Sequence, residues 1–199
     1  MNNNNQEIEI KLKLSDPEVV FKNALELGGK ELKEKEGLEH DVMYDDGKGF
    51  FDAFKVLRIR TAPFGNLLTY KEKNEHSDQD NFLVRTEIET FIEDPKAMDQ
   101  ILRKLGYVPH VEKDKYVKKI EIDGLVIEFH KLPFIGDFIE IEGERELVSS
   151  LVRKIGLDPN QGIGIDYSSL FENYCKEHGW DFHKVPHTFD EENKHLQKS

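Results

Sequence analysis

The sequence predicts an α+β fold: an eight-stranded antiparallel β-barrel, or tunnel, with amphipathic helices packed on its outside. Three observations predict it. The stretch "EIEIKLKL", Glu7 to Leu14, alternates apolar and charged residues without a miss, as a strand with one greasy and one ionic face does. A strand-then-helix pattern recurs three times along the chain. Between the repeats lie further strands that also carry their charges on one face, bringing the total to about eight.

The first repeat runs from Glu7 to Gly28, the second from Glu87 to Gly106 and the third from Glu140 to Gly156. Asp16-Pro17 and Asp94-Pro95 open the first two helices, and glycine closes all three. An N-capping carboxylate, proline in the first turn and glycine past the end are the expected punctuation. Val19, Val20, Ala24 and Leu27 form a helical stripe, as do Met98, Ile101, Leu102 and Leu105, then Leu147, Leu151, Val152 and Ile155. Each stripe needs an apolar sheet face to cover. Turns at "APFGN" and "IDGL" join neighbouring strands, and "DDGKG" (Asp45 to Gly49) reads as a turn.

At 199 residues and 37% hydrophobic, the chain can bury one substantial core. A single domain is expected over residues 7–182, after a disordered polar lead at 1–6 and before a flexible tail at 183–199. No signal peptide and no long apolar run is visible, and the one cysteine, Cys175, forms no disulfide framework. These features predict a cytoplasmic protein without a membrane partner. The net charge of −12 argues against a nucleic-acid partner.

The polar strand faces carry the chemistry. Acids come as pairs two residues apart: Glu7/Glu9, Glu87/Glu89 and Glu140/Glu142, with Glu128 near. Bases come as Lys11 and Lys13, Arg58/Arg60, Lys71, Arg85 and the Lys113/Lys115/Lys118 group. One such strand alone reads as a sheet with a wet side. Six together, with helices covering the apolar faces, put the charges inside a closed barrel, where they need counter-ions. Carboxylates can converge on a hard divalent cation, and arginines can grip phosphate oxygens.

These residues also resemble a known family. "EIEIK" is similar to the ExExK signature of the CYTH, or triphosphate tunnel metalloenzyme, superfamily. "DVMYDD", "VLRIRT", "LLTYKEK", "RTEIET", "IGDFIEIEGE" and "DYSSLFENYCKEHG" follow in family order. The pattern looks most like the class IV adenylate cyclase-like branch. The resemblance implies an eight-stranded tunnel that acts on a triphosphate with Mg²⁺ or Mn²⁺. That triphosphate would be ATP, thiamine triphosphate or tripolyphosphate. It implies metal-side carboxylates at Glu7, Glu9, Glu140 and Glu142. It implies a phosphate clamp of Lys11, Arg58, Arg60, Lys71, Arg85, Lys113 and Lys115. Glu87, Glu89 and Glu128 are tunnel acids whose role stays open, and the resemblance allows a homodimer.

The chain departs from the family pattern in three places. His130 stands where the family carries Asp, with Glu128 on the same strand face as a substitute carboxylate. Lys113 and Lys115 stand for a KxR pair. The His-Phe element that precedes ExExK in some cyclases is missing. The expected reaction is cyclase chemistry, with ATP giving cyclic AMP and pyrophosphate. The alternatives are triphosphate hydrolysis and a non-catalytic triphosphate-binding module. The general base is open between Lys71, Lys115 and His130.

Other features have ordinary readings. Phe50, Phe51 and Phe54 pack in the core or line a base pocket. His178, His183, His187 and His195 are too irregularly spaced for a metal site. Trp180 and Phe182 pin the last helix to the barrel.

Overall fold

The computed structural model describes residues 6–50, 53, 55–73 and 81–197. Phe51, Phe54 and residues 1–5 of the lead expected at 1–6 lie outside the described residues, and residue 6 begins the first strand. The strands are β1 (Gln6–Lys13), β2 (Lys30–Glu31), β3 (Gly37–Asp45), β4 (Lys55–Ala62), β5 (Gly65–Lys73), β6 (Phe82–Ile92), β7 (Val108–Ile122), β8 (Leu125–Leu132) and β9 (Gly136–Glu142). The helices are α1 (Pro17–Glu26), α2 (Pro95–Lys104), α3 (Arg145–Lys154), α4 (Tyr167–Glu177) and α5 (Phe189–Leu196). No described helix is long and apolar enough to cross a membrane.

The strands pair antiparallel in the order β7-β3-β4-β5-β6-β1-β9-β8, and β8 returns to β7, closing an eight-stranded barrel. The short β2 hangs on β7 outside the ring. The predicted fold class is therefore the observed one.

The alternation in β1 sets the layering. Ile10, Leu12 and Leu14 point outward and are buried under α1 and α3, together with Ile120, Ile127, Phe129, Ile139 and Ile141 of β7, β8 and β9. Glu7, Glu9 and Lys11 of β1 point into the barrel, and Lys13 at its end is exposed. Asp16 caps α1 by accepting from the Val19 amide, and Asp94 caps α2 by accepting from the Lys96 and Ala97 amides. Gly28, Gly106 and Gly156 take the left-handed backbone that ends the three helices.

The helical stripes are narrower than expected. Val20, Ala24, Leu102, Leu151, Val152 and Ile155 are buried, but Val19, Leu27, Ile101, Leu105 and Leu147 are exposed. Val148 is buried in place of Leu147. Adjacent residues lie about 100° apart on a helix, so only one edge of each stripe reaches the sheet.

The C-terminal segment corrects the expectation of a flexible tail at 183–199. His187 pairs with Lys113 of β7: its amide donates to the Glu112 carbonyl (3.1 Å), and the Asp114 amide donates to its carbonyl (2.8 Å). Its ring stacks on Phe171 of α4 at 4.1 Å, and Nε2 donates to the Pro133 carbonyl at 2.8 Å. The Phe189 amide then donates to Asp114, and the Phe134 amide donates to Glu192 of α5. A polar composition hides this strap because its anchors are two backbone bonds and one buried ring. Trp180 and Phe182 pack against the cluster of Leu132, Phe138, Tyr167 and Phe171, as the sequence suggested.

Candidate functional site

Pairing registers decide which side chains share the interior. Glu9 stands opposite Glu142 and Lys11 opposite Glu140 across β1 and β9; Glu7 stands opposite Arg85, and Lys71 opposite Glu87. Arg58 stands opposite Thr69, Arg60 opposite Asp41, and Asp41 opposite Lys113. Directly opposed residues point to the same side of a sheet. The barrel therefore encloses a cavity of about 520 Å³. The expected metal-side carboxylates, clamp bases and tunnel acids all line it, whereas His130 lies just behind the wall and Lys13 and Lys118 do not line it.

The charges fall into two groups. One wall, from β3, β4 and β7, is basic above a buried acidic floor. Asp41 accepts from Arg60 Nε at 2.7 Å and Nη2 at 3.0 Å, and from Arg58 Nη1 at 3.3 Å. Burial alone would raise the Asp41 pKa, but the Arg60 and Arg58 guanidiniums hold it well below the ordinary range. Glu39 is fully buried, with Oε2 2.8 Å from Arg60 Nη1 and 3.2 Å from Lys115 Nζ, while its Oε1 finds no hydrogen-bond partner. These two acids pin the arginines upright.

The opposite wall, from β1, β6 and β9, is acidic. Lys71 Nζ bridges Glu7 at 2.7 Å and Glu87 at 2.8 Å. Lys11 Nζ lies 3.0 Å from Glu140 and 3.6 Å from Glu9, and donates to the Ile165 carbonyl at 3.3 Å. Burial and the Glu140 charge push Glu9 up, whereas Lys11 and His130 overcome burial and hold Glu140 well down. At the open mouth, burial and the charges of Glu7 and Glu87 push Glu142 up to about 7. Thr69 joins the walls, accepting from Arg58 Nη2 at 3.4 Å and donating to Glu89 at 2.8 Å.

His130 stands in a hydrogen-bonded network. Its Nδ1 is 2.9 Å from the Tyr167 hydroxyl and its Nε2 is 2.9 Å from Glu128, with Lys115 Nζ at 3.2 Å. Burial and Lys115 lower its pKa, against the opposing pull of Glu140 and Glu128. Among the described residues, Glu128, His130 and Glu140 form one group whose ligand-capable atoms lie within 4.8 Å of one another. Lys119 on Glu128, Lys11 on Glu140 and Lys115 beside His130 already neutralise that group. Lys71 is held charged: burial would lower its pKa, but Glu7 and Glu87 raise it.

Several site residues escaped the sequence reading. Glu39 and Asp41 lie on "GLEHDVMYD", where polar side chains fall on both faces and blur the period. Lys119, not Lys118, faces the cavity; Lys118 sits outside over the Phe21 ring at 5.4 Å. Strand parity from Lys113 and Lys115 would have found it. Tyr167 enters from α4, with the Lys11 ammonium 4.4 Å from its ring centre.

Comparison with known proteins agrees with this architecture. The CYTH domain profile matches residues 5–160. A Methanocaldococcus jannaschii protein, provisionally named adenylate cyclase, is 32% identical over 140 residues, covering 68% of this chain and 75% of that protein. A Vibrio parahaemolyticus structure, also provisionally named adenylate cyclase, superposes with TM-score 0.71 at 16% identity, covering 83% of this chain and 97% of that one. A Hippeastrum adenylyl cyclase candidate, described as having a dominant triphosphatase activity, superposes with TM-score 0.56 at 22% identity, covering 84% and 95% of the two chains.

Proposed function

This chain belongs to the CYTH domain family, and on that premise we propose that it is a divalent-metal-dependent enzyme acting on a triphosphate inside the tunnel. The observation that carries the reading is the division of one enclosed cavity into a basic and an acidic wall. Arg58, Arg60, Lys113 and Lys115 form the phosphate clamp, completed by Lys11, Lys71 and Arg85. The two arginines are already oriented by Asp41 and Glu39, so gripping phosphate oxygens costs them little ordering.

Glu7, Glu9, Glu140 and Glu142 would hold Mg²⁺ or Mn²⁺, with Glu87 beside them. The donors fit: all are oxygens, and burial together with neighbouring carboxylates raises the pKa values of Glu7, Glu9 and Glu142, a cost that a bound cation would offset. A metal bound there would neutralise charge on the phosphate oxygens as the P–O bond breaks. Lys71 and Lys11, which now sit on these carboxylates, are free to turn to the phosphates when a cation takes their place. Positioning and charge stabilisation carry most of such chemistry, and no covalent intermediate is needed.

For the reaction we favour cyclase chemistry. A ribose hydroxyl attacks the α-phosphate and pyrophosphate leaves. Phe64, Leu67 and Val126 give the cavity apolar patches suited to a base. Water in place of the hydroxyl would make the same clamp a triphosphatase, the activity attributed to the Hippeastrum protein. Incubation with ATP, thiamine triphosphate and tripolyphosphate in Mn²⁺ separates the readings. Cyclic AMP with pyrophosphate supports cyclase, orthophosphate supports hydrolase, and tight binding without product reduces the protein to a binding module.

A further inference from the structure

Of the lysines deep in the barrel, four are satisfied. Lys11, Lys71, Lys115 and Lys119 each place Nζ within 3.2 Å of a carboxylate oxygen. Lys113 does not. Its nearest acid, Asp41 Oδ2 at 3.6 Å, already receives hydrogen bonds from Arg58 and Arg60. The residue is 5% exposed, and its amine lies 5.5 Å from the centre of the Tyr167 ring.

From this geometry we propose that Lys113 is the cavity's responsive cation, which gains its proton when a polyphosphate binds. The proposal rests on the triphosphate reading and adds how the clamp recruits charge.

The surroundings of Lys113 disfavour a permanent charge. Arg58 and Arg60 face it from β4, Lys115 from its own strand, and Asp41 from β3. Asp166 and Tyr167 face it from α4, and His187 lies beside it on the C-terminal strap. Burial, Arg58, Lys115 and Arg60 outweigh Asp41 and bring Lys113 down to about 8. His187 is itself neutral, because burial and Lys113 push it down to about 3. A triphosphate entering here places several negative charges beside the amine, which favours its ammonium form. The proton comes from a buffer acid, whose conjugate base is left in solution, and no covalent bond of the ligand breaks. A polyanion is thereby distinguished from a neutral ligand of similar size.

The test compares wild-type protein with Lys113→Arg, whose guanidinium stays charged throughout the range. Each is titrated calorimetrically with a methylene-bridged tripolyphosphate and Mg²⁺ at pH 8, in two buffers of different ionisation enthalpy. Wild type is expected to take up about half a proton more than the variant, since an amine is half neutral at its pKa. Above about pH 8 its affinity should fall by up to about tenfold per pH unit more than the variant's. Equal uptake in a folded variant overturns the proposal and leaves the triphosphate reading standing. Wild type that binds no analogue overturns both. A variant-free check is NMR titration of the ¹³C-methylated Lys113 amine. A midpoint near 8 that moves up with the analogue supports the proposal, and an unmoved midpoint overturns it.

Discussion

Arg60 Nε donates to Asp41 Oδ1 at 2.7 Å inside the barrel, where the carboxylate is 1% exposed and the guanidinium 10%. The pair holds a flexible side chain in one orientation, as the proposed phosphate clamp requires. It also makes the floor of the cavity a structural liability if either partner is lost.

Asp41→Asn should therefore destabilise the fold. Removing one partner of a buried ion pair leaves the other uncompensated, at a cost of roughly 3–5 kcal/mol. Arg58 and Lys113 also lose their counter-charge. Urea unfolding at pH 7.5 measures the loss. The folded-state pKa of Asp41 is depressed, so its contribution is present above the unfolded value near 3.9 and disappears only as pH falls through the lower folded value. The gap between wild type and variant should thus stay constant from pH 5 to 8.

Glu7→Gln with Glu9→Gln should cut Mn²⁺ affinity by at least about tenfold, since two of the four proposed oxygen donors lose their charge. Calorimetric titration with Mn²⁺ reads the change directly. Unchanged affinity and unchanged turnover would remove these residues from the metal site.

His187 predicts an acid-sensitive strap. Its pKa is about 3 when folded and near 6.5 when unfolded, so the unfolded chain binds the extra proton between those values. Stability must then rise with pH across that window and fall as pH drops below about 6.5. One group with this shift costs about 1.4 kcal/mol at pH 5.5 relative to pH 7.5. His187→Gln should show a pH dependence smaller by that amount in paired denaturant titrations.

Phe171→Ala should cost about 3–5 kcal/mol, because its ring is 1% exposed and stacks on both His187 and Phe134. Limited proteolysis should then cut between residues 178 and 190 first.

The legible parts of the sequence were those with a clean period. From Glu7 to Leu14 every odd residue is charged and every even one apolar, so the sequence alone assigns Glu7, Glu9 and Lys11 to one face. The same parity gave Glu140 with Glu142 and Arg58 with Arg60. Where polar residues fall on both faces, as at His40 and Asp41 of β3, the period vanishes and the buried floor stayed hidden. The strap was illegible for another reason. His187 is held by Lys113's neighbours and by Phe171, contacts far apart in the chain that no local pattern announces. The helix stripes are too wide, by two residues in α1 and α2 and one in α3, since a stripe two residues wide does not say which edge meets the sheet.

If triphosphate and metal meet inside this barrel, both should be visible there together. A crystal structure with Mn²⁺ and a methylene-bridged triphosphate, phased to show the manganese anomalous signal, tests it most directly. The account predicts phosphate density against Arg58, Arg60 and Lys115, with manganese beside Glu7, Glu9 and Glu142. Phosphate and manganese bound on the outer surface, with the cavity filled by water alone, would contradict it.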